Sequence, residues 1–316
     1  MCASDSDLVA TNPQDLPPLV VVVLNWNGRE VLPACLHSLL SNGYGPLKIL
    51  LVDNASRDGS VAMVKRDFPT VEIILASENL RWAGGNNLAL QRVRAEPSPG
   101  RQLLLLNNDT IVPQGTLATL TTALVAEPQA WAATPRICFA HDPGRIWYDG
   151  GKVGHFSGWI SHVGLRQRAT SRPLLRQFVD FGTGCALLLS EEALHIVGDL
   201  DERFFLYGED VDFSLRLRAS GGKILHVPDA VILHQVSAAL GATSPTKVYL
   251  RSRSHVHLIR KHWSGPRKLL AVAGLLTYFV GLAGWHLVGG RFAQAVAAWQ
   301  GVGDELRGAS LKQWGR

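Results

Sequence analysis

The chain has no Cys-x-x-Cys pair, no Walker A loop and no complete Gly-x-Gly-x-x-Gly fingerprint. Its four cysteines, Cys2, Cys35, Cys138 and Cys185, are widely scattered. They therefore outline neither a disulfide framework nor a zinc site, and a reducing compartment fits them best. Cys185, beside Gly184, reads as a small packing residue. No internal repeat is present. The first eighteen residues lack a basic start and an apolar h-region and carry Asp5, Asp7, Asp15 and Pro17-Pro18. Residues 1–18 are expected to form a disordered tail rather than a secretory leader. Acid is scarce toward the C-terminus: residues 214–316 hold 3 Asp+Glu against 14 Lys+Arg, whereas residues 1–213 hold 23 against 17. The formal net charge of +5 conceals this asymmetry. Residues 247–268 contain seven basic residues and no acid. Such a block attracts nucleic acid, anionic lipid or a diphosphate, or else forms a solvated helix face.

The length of 316 residues, 47% of them hydrophobic, suits one large domain or two ordinary ones. Apolar runs at 19–24, 48–52, 71–75 and 102–106 read as buried strands. Helical stretches at 30–40, 60–68 and 83–93 separate them. This alternation predicts βαβ units and a mainly parallel sheet, in which ligands bind beyond the carboxyl ends of the strands. All four ends are polar: Asn25-Trp26-Asn27, Asp53-Asn54-Ala55-Ser56, Ser77-Glu78-Asn79 and Asn107-Asn108-Asp109. Residues 145–164, rich in Gly, Trp, Tyr and His, predict hairpins and loops. After Pro245 the pattern becomes helical. Residues 269–290 contain no Lys, Arg, Asp or Glu. At about 1.5 Å per residue that segment is long enough to cross a bilayer, though an interfacial helix or a hydrophobic lid fits it as well. The adjoining basic block favours an anionic membrane surface.

Two acidic elements carry the chemistry. Asp109 ends the fourth strand, where its carboxylate can share a hard divalent cation with phosphate oxygens; the plain alternative is a cap for a helix starting near Gln114. Glu209, Asp210 and Asp212 open a helix running to about Ala219, where the helix dipole alone favours acids. Asp212 is placed to pair with Arg216 on the surface. Asp210, with no such partner, is the better general base. Asp53 at the end of the second strand can accept from a ribose or base, or belong to the turn around Asp58-Gly59-Ser60. His234, at the end of the run 230–233, is a structural histidine or a metal ligand.

These pieces in this order resemble glycosyltransferase family 2, with the GT-A nucleotide-sugar-binding fold, and within it the rhamnosyltransferase-like enzymes of bacterial surface polysaccharide assembly. The resemblance spans about residues 19–260. It rests on Val22 to Asn27, Leu51 to Ser60, Asn79 through Ala83-Gly84-Gly85-Asn86-Asn87, Leu105 to Asp109, Phe181 to Gly184, Phe205 to Asp212, and His234. The resemblance implies a mixed, mainly parallel α/β sheet over residues 19–245, followed by basic and apolar membrane-associated helices over 246–316. It implies a nucleotide-sugar pocket formed by Asn25, Asp53, Asn79, Arg81, Asn87 and Asn108. Asp109 and His234 would hold Mn²⁺ or Mg²⁺, Asp210 would be the inverting base, and Thr183, Gly184 and Glu209 would lie on the acceptor side. The implied partners are a nucleoside-diphosphate sugar, a saccharide or lipid-linked acceptor and an anionic membrane at the cytoplasmic face, with no nucleic acid. Three positions depart from the family pattern: Arg81 stands where glycine is usual before the aromatic, Ser252 follows Arg251 where Arg-Asn is common, and Asn107 replaces the first acid of the metal motif, which weakens metal affinity. Two rival functions share parts of this pattern. A nucleotidyltransferase needs a basic, glycine-rich loop after the first strand, and residues 25–29 offer one glycine and one arginine. A non-catalytic membrane-bound sugar-binding scaffold would not need the filled base and metal positions.

Overall fold

A strand buried on both faces needs a hydrogen-bonded neighbour on each edge and a helix over each face. In the computed structural model, which describes residues 16–236 and 244–309, β1 (Leu19–Asn25) has all four. Strands and helices alternate through α1 (Leu32–Leu40), β2 (Leu47–Asp53), α2 (Ser60–Asp67), β3 (Glu72–Leu75), α3 (Arg81–Arg94) and β4 (Gln102–Asn107). The chain continues through β5 (Thr110–Ile111), α4 (Thr116–Val125), β6 (Ala130–Phe139), β7 (Asp142–Tyr148), β8 (Gly151–Val153), β9 (Ile160–His162), β10 (Gln177–Val179), β11 (Ala186–Leu189), α5 (Glu191–Ile196), α6 (Glu209–Ala219) and β12 (Lys223–His234). Three helices close it: α7 (Pro245–His262), α8 (Gly265–Val288) and α9 (Phe292–Arg307).

The sheet runs β10-β12-β6-β11-β4-β1-β2-β3, with β5 added to β12 and β7 to β6. β3, β2, β1 and β4 are parallel, and β12 is parallel to β6. β11 lies antiparallel between β4 and β6, which makes the sheet mixed. Successive residues of β1 serve opposite faces, as a period of two dictates. Val21 and Val23 join a core with Leu36, Val64 and Leu120 from α1, α2 and α4, whereas Val20 and Val22 join one with Leu90, Leu194 and Leu217 from α3, α5 and α6. The fold is thus the expected mixed, mainly parallel α/β sheet with flanking helices, followed by an apolar C-terminal helix.

Residues 1–15 of the expected tail lie outside the described residues, but Leu16 is buried and the Tyr44 hydroxyl donates to the Pro17 carbonyl at 2.7 Å. Asp109 does not cap α4, whose N-cap is the left-handed Gly115. Asp212 pairs with Arg216 at 2.9 Å, yet not on the surface: its side chain is 0% exposed. Lys261 and His262 of α7 reach the same carboxylate at 2.6 and 2.7 Å. Lys261 also holds Asp201 at 2.6 Å. Much of the basic block is therefore internal, since Glu305 of α9 takes Arg253 and His257 at 3.1 and 2.7 Å. Ser252 is buried where α7 meets Gly301 of α9, and a Cβ added at Gly301 would stand 2.4 Å from the Tyr249 carbonyl oxygen and 3.1 Å from Ser252 Cβ.

Removing one partner from a buried ionic cluster strands the others. Asp212→Ala should therefore lower unfolding stability by about 3–5 kcal/mol, read as a reduced denaturant midpoint at unchanged slope.

Candidate active site

The carboxyl ends of β1, β2 and β4 meet in one hydrogen-bonded knot. Register places Asn25 beside Asp53 and Leu24 beside Asn107. The Asn25 amide nitrogen donates to Asp53 Oδ1 at 2.9 Å and lies within bonding distance of the Ser56 and Ser60 hydroxyls, at 3.2 and 3.0 Å. Its oxygen accepts from Asn108 Nδ2 at 2.9 Å. Gly28 packs so closely that an added Cβ would stand 2.2 Å from Asn108 Nδ2. The Ser56 N–H donates to the other Asp53 oxygen at 2.9 Å. The loops after β1 and β2 are joined again by Arg57 N–H to Asn27 Oδ1 and by Arg29 N–H to Asp58 Oδ2, both 2.8 Å.

A second cluster forms around residues 181–185. The Gly184 N–H donates to Asp210 Oδ2 at 2.9 Å, and the Val211 N–H to Asp210 Oδ1 at 2.8 Å. The Trp82 indole N–H donates to Asn107 Oδ1 at 3.2 Å, and its ring lies where a Gly184 Cβ would stand 2.5 Å away. Tyr148 donates to the Phe181 carbonyl at 2.6 Å, and the Gly182 N–H donates to Ser214 at 3.2 Å. Across this loop, His234 Nε2 lies 3.1 Å from Asp109 Oδ1, both side chains nearly buried. Cys185 lies between the two groups: its carbonyl accepts from the Asn107 N–H at 3.0 Å, next to Gly184, and its thiol feels the charges of both Asp109 and Asp210. Residues 109, 210 and 234 thus converge on one loop.

Burial governs the protonation states. It disfavours a charged His234, but the Cys185 sulfur and the Asp109 carboxylate outweigh it and push the imidazole up to about 10. Burial likewise raises the Cys185 thiol, and the neighbouring Asp109 and Asp210 carboxylates raise it further. Asp210 is raised by burial, against the two N–H groups that favour its charge. Glu209 is pushed up to about 8 by burial and then by Asp210. With fewer donors to its charge, Glu209 is the member of the pair that keeps its proton. Four non-glycine residues ring the site in the left-handed region: Asn27, Ala55, Arg81 and Tyr207. Such conformations cost about 1–3 kcal/mol each and collect at functional sites.

The sequence from residue 17 to 253 matches the family model described as "Glycosyltransferase like family 2". This chain is a family 2 glycosyltransferase. It is similar to the N-acetylglucosaminyl-diphospho-decaprenol L-rhamnosyltransferase of Mycobacterium tuberculosis (strain H37Rv), 26% identical over 275 residues, covering 78% of this chain and 87% of the relative. Among solved structures, the mannosyltransferase PcManGT from Pyrobaculum calidifontis, in complex with GDP-Man and Mn²⁺, aligns with a TM-score of 0.58 and 16% identity over 95% of this chain and 90% of its own. GalNAc-T7 with UDP, GalNAc and Mn²⁺ gives a TM-score of 0.63 and 17% identity over 81% of this chain, which spans about half (49%) of that longer protein. These structural likenesses establish the GT-A fold.

Within the glycosyltransferase framework the expected site residues separate. Asn25, Asp53 and Asn108 form the knot, with Asn25 wholly buried, so it acts by fixing its neighbours. Asn79 accepts from the Arg81 N–H at 2.9 Å and starts α3. The φ of +62° at Arg81 accounts for the glycine common there, and its guanidinium stacks 4.3 Å over Phe205. Asn87 stands apart: its amide nitrogen donates to the Leu200 carbonyl and to Glu202 at 3.0 and 2.8 Å, while its oxygen accepts from the Leu200 N–H. It pins α3 to the segment before α6. Glu209 turns inward, with one carboxyl oxygen buried and unpartnered, rather than lining an acceptor face. Thr183 and Gly184 belong to the loop that holds Asp210. Two residues escaped the sequence reading. Trp147 stacks edge-on against both His234 and His162, at 4.7 and 4.9 Å, and His162 is pushed down to about 4 by burial and by the charges of Arg251 and His234. The aromatic richness of residues 145–164 was the only signal for them.

Asp109 and His234 offer one carboxylate oxygen and one imidazole nitrogen on adjoining strands, which suits a divalent ion that completes its shell with phosphate and water. Among the described residues no cluster of three or more His, Cys, Asp or Glu forms a closed metal cage.

A raised carboxyl pKa means that the native state keeps a proton which the unfolded chain releases. The Glu209 contribution to stability is complete below about pH 4.5 and declines as pH rises to about 8. Urea midpoints should show Glu209→Gln gaining on the parent between about pH 5 and 8.5, with the two chains converging at acid pH.

Proposed function

We propose that this glycosyltransferase moves a sugar, rhamnose being the first candidate, with inversion from a nucleoside-diphosphate donor to a hydroxyl of a saccharide or lipid-linked acceptor. The observation that carries this reading is the meeting of the Asp109–His234 pair and Asp210 on one loop at the carboxyl end of the sheet. Asp53 and Asn108, both held by Asn25, serve the nucleoside side of the donor in this reading, which their hydrogen-bonded knot supports. Asp210 takes the acceptor proton as the acceptor oxygen bonds to the anomeric carbon. The carbon–oxygen bond to the diphosphate breaks in the same displacement, and its electron pair leaves on the diphosphate. The N–H groups of Gly184 and Val211 aim the Asp210 carboxylate, and its raised pKa strengthens it as a base. Asp109 and His234 would hold Mn²⁺ or Mg²⁺, which supplies Lewis-acid stabilisation of the leaving diphosphate. The similarity to a rhamnosyltransferase named for a diphospho-decaprenol acceptor supports a lipid-linked substrate. It supports equally a location at the cytoplasmic face of a membrane. Residues 19–245 form the transferase unit in this reading, and 246–316 the part that meets the membrane.

Asp210→Asn should reduce transfer about 10²–10⁴-fold, the usual worth of a general base, while nucleotide binding stays within twofold. Retained transfer would remove Asp210 from the mechanism. Thermal stabilisation by UDP, dTDP and GDP, each with and without Mn²⁺, should show at least one metal-enhanced response, and that enhancement should vanish in Asp109→Ala.

A further inference from the structure

Helix α8 is 24 residues long and apolar enough to cross a membrane, but its packing argues for a different placement. Ala271, Leu275, Phe279, Ala283 and His286 are buried, forming one stripe along most of the helix. That stripe lies on the body of the enzyme. Val256 and Ile259 of α7 and Ala298 and Val302 of α9 share its apolar cluster. The loop between β8 and β9 meets it too: Trp159 stacks on Tyr278 at 4.7 Å, and Gly274 lies against Ser157. The elements beneath α8 carry ion pairs, including Arg253 and His257 with Glu305. A spanning α8 would carry those charges into hydrocarbon, where they are costly.

The opposite side of α8 is apolar and open. Leu269, Leu270, Leu276, Val280 and Trp285 are 45–74% exposed, and α9 extends the face with Phe292 and Trp299. Residues 265–303 contain no Asp or Glu, while Arg267, Lys268 and Arg291 provide three positive charges. Arg291 stacks 4.1 Å over Trp285, at the turn between the helices. Apolar residues facing out, cations at both ends of the helix and no acid describe a surface for an anionic bilayer.

We propose that α8 and the first turns of α9 lie in the plane of an anionic membrane, immersed on their outer face and never crossing it. The inference rests on the reading that the acceptor is lipid-linked, and it adds how the enzyme meets that lipid. The face in the membrane adjoins the β8–β9 loop, and β9 ends in His162 next to Trp147 and the candidate cleft. A lipid headgroup would therefore approach from the side, without leaving the interface.

The test uses the full chain in inside-out and right-side-out membrane vesicles from expressing cells, with single-cysteine variants and a membrane-impermeant maleimide. Lys268→Cys and Gly290→Cys, at the two ends of α8, should label only in inside-out vesicles. Leu276→Cys should stay protected until detergent is added. Labelling of Gly290→Cys only in right-side-out vesicles would overturn the proposal in favour of a span. Leu276→Cys labelling as fast with vesicles as without them would overturn it in favour of a free surface. A dimer that becomes monomeric in Leu276→Glu would overturn it in favour of a second copy of this chain. Leu276→Glu with Val280→Glu should also weaken binding to phosphatidylglycerol vesicles at least tenfold, with little binding to phosphatidylcholine in either protein. Donor hydrolysis by the soluble double variant should match the parent, so loss of membrane binding is distinguishable from loss of the transferase itself.

Discussion

A wholly buried asparagine governs the geometry of the candidate site. Asn25 has no solvent to satisfy its amide, so its polar atoms must find partners within the protein. It finds them in Asp53, Ser56 and Ser60 after β2 and in Asn108 after β4, so that with its own place at the end of β1 three strand-to-loop junctions are tied together. Each partner is thereby fixed relative to the others, and the junctions become one rigid rim. Gly28 belongs to the same constraint, since any side chain there would displace Asn108. The left-handed backbone at Asn27 and Ala55 is held in place by this rim.

The parallel half of the sheet was legible because doubly buried strands have an unmistakable composition. The runs around Val21, Leu51 and Leu105 are apolar over 19–24, 49–52 and 103–106, and the polar carboxyl ends that follow are where the rim forms. The antiparallel insertion of β11 was not legible. Its sequence, Ala186–Leu189, is as apolar as a parallel strand, and direction depends on distant partners. The site divides in the same way. Asp109, Asp210 and His234 were readable from their positions at element ends. The inward turn of Glu209 was not, because adjacent residues at a helix start point in different directions. Asn87 misled for a related reason: its place beside the glycines of α3 suggested a ligand contact, but a helix presents such residues to whatever packs there, in this case the Leu200 backbone. Trp147 and His162 act only through a hairpin that folds over His234.

Charge asymmetry along the sequence has a structural meaning beyond attraction to phosphate. The acidic front part and the basic end part neutralise one another in space, through Asp201 and Asp212 against Lys261 and His262. Among the described residues, Arg267, Lys268 and Arg291 stand at the two ends of α8, and exposed Arg251 of α7 lies over the Tyr207 ring. Internal cohesion and an electropositive exterior therefore draw on the same composition.

The loop between β8 and β9 is gripped from both sides. His255 meets the Gly158 carbonyl at 2.7 Å, the Trp263 indole N–H donates to the His155 carbonyl at 2.8 Å, and Gly158 leaves no room for a side chain beside Ile259. At the other end of the same hairpin, His162 rests on Trp147 and Trp147 on His234. The hairpin thus joins the outer helices to the buried imidazole of the candidate site through one unbroken series of packed rings and hydrogen bonds.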